Sequence, residues 1–129
     1  MIHRSAAVVG ATLLVGVSGC AVTPLAPASI NHVVLVSLKD AADRDELMRE
    51  CAAWPRDIGI QNAWVGTPTP GERAKVDRDF SVAFVAAFGS QADYDRYQCS
   101  QWHVALLKKW MPRCANIRIF DVDAARLRH

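Results

Sequence analysis

Phe80-Ser81-Val82-Ala83-Phe84-Val85-Ala86-Ala87-Phe88 is the stretch whose reading decides the fold. Side chains alternate across an extended chain, so Phe80, Val82, Phe84, Ala86 and Phe88 share one face and Ala83, Val85 and Ala87 the other. Neither face is built for water. His32-Val33-Val34-Leu35-Val36-Ser37-Leu38 reads the same way, β-branched or apolar at nearly every position, as a strand covered on both sides does.

Working outward, two further strands and three helical stretches, the last two consecutive, complete the pattern. Asp40 to Asp45 offers helix-start residues, with Asp43 and Glu46 spaced like a capping box. Leu47, Met48, Cys51 and Trp54 then recur at helical spacing before Pro55. Ile60 to Val65 is a weaker second strand, and Gly66-Thr-Pro-Thr-Pro-Gly71 opens a loop. Ser90 to Asp93 can cap a helix carrying Tyr94 and Tyr97, a second helical stretch runs from Gln101 to Pro112, and Ile117 to Val122 is the last strand.

The order β-α-β-β-α-β predicts an α+β, ferredoxin-like domain, with a four-stranded antiparallel sheet and its helices on one face. That leaves the other sheet face bare. Since the first and third strands are apolar on both faces, a second copy of the chain is the simplest cover, and a two-fold homodimer is expected.

The ends carry a different message. Met1 to Arg4 and the apolar run Ala6 to Val17 have the charge and length of a signal peptide, and the run is too short to cross a bilayer as a helix. It closes on Val17-Ser18-Gly19-Cys20, small residues before a cysteine, as in a lipobox. Residues 1–19 are therefore expected to be a lipoprotein signal peptide and Cys20 the lipidated residue. Residues 20–29, with two prolines and no charge, form a tether; 30–123 are the domain and 124–129 a C-terminal tail. Ala21 after the cysteine favours the outer membrane, with the domain facing the periplasm. A net charge of +2 gives no electrostatic case for nucleic acid.

From Asn31 to Asp123 the chain resembles the stress-responsive α/β-barrel (Dabb) family. The resemblance rests on His32-Val-Val-Leu followed by Leu38-Lys39-Asp40, on Ile58 to Gly66 ending in Val-Gly, and on the apolar strand into Phe88-Gly-Ser90. Tyr97 six residues before His103 and the closing Ile117-Arg-Ile-Phe-Asp121 complete it. It implies a dimeric barrel made from two sheets. A plant polyketide cyclase of the family uses a tyrosine and a histidine at positions that look like Tyr97 and His103. The family's proline between them is Gln101 here, and the cyclase's polar pocket residue on the third strand is Val82.

His103 heads a stripe with Leu106, Leu107 and Trp110, so it points inward as a candidate general base or as a core histidine satisfied by one carbonyl. Tyr97 is its candidate partner, able to orient a carbonyl, or else a core aromatic with its hydroxyl at the surface. One continuous helix would turn the two about 120° apart. Cys99-Ser100-Gln101 supplies the break. His32 shares a strand face with Val34 and Val36 and reaches the same cavity from the sheet side, and Trp54, Trp64, Trp102 and Trp110 could line it. Cys51, Cys99 and Cys114 suggest one disulfide and one buried thiol. No zinc-ligand spacing, phosphate loop or serine-nucleophile motif is present, so neither metal nor cofactor is expected.

Three functions fit this pattern. The first is a lipid-anchored envelope protein binding a small apolar or aromatic molecule. The second is a cofactor-free enzyme, a cyclase or isomerase-type proton-transfer catalyst or an oxygenase, with His103 as base. The third is a structural envelope lipoprotein whose dimer face is its function.

Overall fold

A computed structural model describes residues 28–124. The expected signal peptide, Cys20, most of the expected tether and residues 125–129 lie outside the described residues. β1 (Ile30–Leu38) is followed by a 3-10 turn (Ala41–Asp43), α1 (Arg44–Ala52), β2 (Asn62–Gly66) and β3 (Val82–Phe88). Then come α2 (Gln91–Gln98), α3 (Gln101–Trp110), a second 3-10 turn (Met111–Arg113) and β4 (Cys114–Asp123). All strand pairs are antiparallel, in the order β2-β3-β1-β4. With α2 and α3 as one interrupted limb, this is the ferredoxin-like α+β fold expected from the sequence.

Strand ends differ from the sequence pattern because ladder bonds, not hydrophobicity, set them. β4 runs from Cys114 to Asp123 since β1 pairs with it along its whole length, Ile30 opposite Asp123 and Leu38 opposite Cys114, through polar positions such as Asn116. β2 starts later than expected. Ile60 is buried, but it follows Gly59 at φ +98°, where a Cβ would lie 2.2 Å from the Asp93 carbonyl oxygen, so the chain is turning there.

The Asp43/Glu46 capping box does not form. Asp43 makes no cap bond and lies 3.5 Å from Arg113, while Glu46 accepts from Lys109 at 2.6 Å. Charge-assisted contacts to α3 and to the turn after it have taken both carboxylates. Asp40 caps the 3-10 turn instead, accepting from Ala42 N at 2.9 Å. The serine caps do form: Ser90 Oγ accepts from Asp93 N and Ser100 Oγ from His103 N, each at 3.2 Å. Ser100 is extended (φ −65°, ψ 144°), which breaks the limb and re-aims α3.

The core lies between helices and sheet. Val82, Phe84, Ala86 and Phe88 turn to the helices and are no more than 4% exposed, against Leu47, Cys51, Tyr97 and Trp110. Burying a side chain such as Phe88 stabilises the fold by about 1.5–3 kcal/mol. The opposite face stays open, with Trp64 56%, Phe120 52% and Val122 50% exposed. Trp64 thus belongs to the helix-free face and not to the cavity, because it precedes Val65 on an alternating strand.

The expected disulfide is absent: Cys51, Cys99 and Cys114 are free. Cys51 is buried in α1 while Cys99 is exposed between α2 and α3, and the Cys114 thiol donates to the Trp110 carbonyl at 3.1 Å. Among the described residues no helix is long and apolar enough to cross a membrane.

Candidate ligand cavity

A cavity of about 480 Å³ lies between the β1/β4 half of the sheet and α1 to α3. Antiparallel pairing gives it two chemically different ends. His32 stands opposite Asp121, then Val34 opposite Ile119, then Val36 opposite Ile117, all six lining the cavity. The sheet wall therefore runs from polar to apolar over a few residues. Trp110 closes the apolar end from α3, 3% exposed, with its indole N–H donating to Glu50 at 2.7 Å.

At the polar end His32, only 4% exposed, places Nδ1 2.6 Å from Asp121 Oδ1. The Tyr94 hydroxyl donates to Asp121 Oδ2 at 2.9 Å and lies 3.3 Å from His32 Nδ1. A carboxylate only accepts, so His32 carries a proton on Nδ1, and Nε2 is the nitrogen left to accept when the ring holds one proton. Burial, the hydrogen bond to Asp121 and that carboxylate's charge push the Tyr94 phenol up to about 12, so it stays a donor.

His103 lines the cavity from the first turn of α3. Its Nδ1 lies 3.0 Å from the Gln98 carbonyl oxygen, which likewise assigns the proton to Nδ1 and leaves Nε2 basic. Burial lowers the His103 pKa; the Gln98 bond opposes it and His32 adds to it. Tyr97 packs between the two histidines, ring centroids 4.4 Å from His103 and 5.7 Å from His32. At 2% exposure its hydroxyl is not at the surface, which corrects that reading, and burial raises its pKa well above the ordinary phenol range.

The structure thus gathers His32, Val34, Val36, Tyr97, His103 and Trp110 around one cavity. Trp102 packs on Phe84 and Tyr97, each at 6.3 Å between centroids. Val82 is fully buried in the core. Sequence reasoning missed Tyr94 and Asp121. The signal for Asp121 was a carboxylate near the end of the last strand on the same face as Ile117 and Ile119, which pairs with His32 once the β1/β4 register is set.

These features define a ferredoxin-like domain with a part-polar cavity between its layers. Residues 30–124 match the model of the stress-responsive A/B barrel domain, and the chain belongs to that family. A search of curated proteins finds no significant match. Among solved structures, a dimeric protein of unknown function from Bacteroides fragilis is 23% identical, covering 73% of this chain and 94% of its own, with TM-score 0.57. An Arabidopsis thaliana protein is 17% identical over 78% of this chain and 99% of its own, TM-score 0.64. The hydroxynitrile lyase from Passiflora edulis is 19% identical over 80% of this chain and 100% of its own, TM-score 0.63. At these identities the likeness concerns the fold.

Proposed function

We propose that this chain is a lipid-anchored envelope protein, attached through Cys20, whose domain pairs with a second copy and binds a small apolar or aromatic molecule. One observation carries the ligand reading: a cavity with apolar walls that ends on convergent polar groups, His32, Asp121, Tyr94 and His103. Dimeric relatives with this fold, together with the exposed Trp64, Phe120 and Val122, support a homodimer closed through the helix-free faces. The lipobox-like Ser18-Gly19-Cys20 supports the anchor and a location at the outer membrane facing the periplasm.

A second reading, proton-transfer catalysis without a cofactor, is favoured by the tautomers of the two histidines. Each holds its proton on Nδ1 against a protein acceptor, so each has Nε2 available as a base. His103 Nε2 would take a proton from a carbon beside a carbonyl. The C–H electron pair becomes the carbon–carbon double bond of the enolate as the C=O π pair moves onto oxygen, where Tyr97 donates a hydrogen bond, and the proton returns to carbon as these shifts reverse.

Fluorescence titration with N-phenyl-1-naphthylamine tests binding, with His103→Gln and Tyr97→Phe as variants. Saturable binding weakened in His103→Gln is expected. If the wild type binds neither this nor other aromatic probes, the domain is a structural envelope protein. Deuterium exchange at the methyl group of acetophenone tests the second reading: exchange that the wild type does not accelerate removes it. Palmitate incorporation lost in Cys20→Ala supports the anchor, and incorporation retained rejects it.

A further inference from the structure

The cavity has an apolar mouth on the helix side of the sheet. Leu107, Met111 and Ile119 line it and yet are 41%, 55% and 55% exposed. Val104, 55% exposed, lies one turn before Leu107 and two before Met111, so the three form a continuous outer stripe on α3 and the turn after it. Lys108, also exposed, stands four residues from Val104 on the same side. Subunit pairing through the helix-free face would leave this stripe uncovered, because it lies beyond the other face of the sheet.

The tether leaves the domain near by. Ser29 is pinned by its N–H to the Phe88 carbonyl and by its hydroxyl to the Gly89 carbonyl, while the Ala124 N–H donates to the Ser29 carbonyl, each at 2.8 Å. From there Cys20 is at most about 30 Å away along an extended chain. Asp123, the partner of Ile30, is only about 14 Å along β4 from Ile119 at the mouth. A lipid on Cys20 would therefore have the reach to bring a bilayer against the stripe.

We propose that the mouth of the cavity faces the bilayer and that the ligand is a membrane-dissolved apolar or aromatic amphiphile, entering directly from the lipid. This rests on the anchor and ligand readings above. The stripe of Val104, Leu107 and Met111 sits at the acyl boundary, and Lys108 meets anionic headgroups.

The test uses the lipidated full chain in vesicles of phosphatidylethanolamine and phosphatidylglycerol. A photo-cross-linker is placed as Val104→p-benzoylphenylalanine and, as a control in the β2–β3 loop, as Glu72→p-benzoylphenylalanine. Phospholipid adducts at position 104 and not at 72 are expected. Adducts to a second copy would make the stripe a subunit interface, and no adduct would place it in water; either overturns the proposal. In the same vesicles Val104→Asp with Lys108→Glu should slow uptake of N-phenyl-1-naphthylamine about tenfold, with final occupancy unchanged. An unchanged rate overturns direct entry. A lipid adduct without any probe binding would instead reject the ligand reading, and palmitate label retained in Cys20→Ala, or no label on the wild-type chain, would reject the anchor.

Discussion

His32 Nδ1 lies 2.6 Å from Asp121 Oδ1 across two neighbouring strands, at positions that are partners in the β1/β4 register. The pair is uneven. The His32 side chain is 6% exposed and that of Asp121 47%, so a buried ring is oriented by a half-solvated carboxylate that also accepts from Tyr94. Removing the carboxylate leaves a buried N–H and a phenol without their acceptor. Asp121→Ala is expected to lose about 1–3 kcal/mol of stability and Tyr94→Phe about 1 kcal/mol. Urea unfolding followed by circular dichroism measures both. Two unfolding curves superimposable on wild type would show that the pair does not hold His32.

The His103 pKa is lowered, chiefly by burial, from an ordinary value of 6.5. The folded protein therefore binds this proton less readily than the unfolded chain does. The sign follows: stability falls as pH drops through the ordinary histidine range, and it levels off only below the lowered folded value. Ligand binding that uses neutral His103 persists into the same acidic window. Melting temperatures and probe titrations from neutral pH downward, in wild type and His103→Gln, check this. The acid-side loss should be smaller in the variant, and an identical loss would assign it to other groups.

Thiol chemistry separates the cysteines. Burial, followed by the nearby Glu50 charge, pushes the Cys51 thiol up to about 12, so it is protonated and shielded at neutral pH. Cys99 is exposed. Iodoacetamide on the folded protein should modify Cys99 and spare Cys51 by peptide mass spectrometry, with Cys51 labelled only after denaturation. Equal labelling in the native state would mean that α1 is not packed as described.

Phe120, Trp64 and Val122 are exposed apolar residues of the helix-free face. Phe120→Asp puts a charge where subunit pairing would desolvate it, which costs several kcal/mol per ion. Sedimentation velocity should show a dimer for wild type at micromolar concentration and a monomer for the variant. A monomeric wild type would contradict pairing through this face.

Much of the fold was legible because it is written in local chemistry. Two strands apolar on both faces demanded two covers, and Ser90 and Ser100 announced the helix starts that they cap. The Ser100 break, read from Cys99-Ser100-Gln101, is what lets Tyr97 and His103 meet at 4.4 Å. The missed features depend on pairs distant in sequence. Asp121 acquires its role only from a register with β1, and the Asp43/Glu46 motif lost its cap to cations more than 60 residues away. Local spacing carries no information about such partners. The cysteines misled for the same reason, since an odd count says nothing of the geometry a disulfide requires.

The most direct test of the ligand cavity is nitrogen NMR of the histidine rings during titration with N-phenyl-1-naphthylamine. In the free protein His103 and His32 should both appear protonated at Nδ1, as their contacts with Gln98 and Asp121 require. On binding, the His103 Nε2 signal should move with the probe's occupancy while Nδ1 holds its position. Saturable binding that leaves every histidine nitrogen unmoved would put the ligand elsewhere and contradict the cavity as its site.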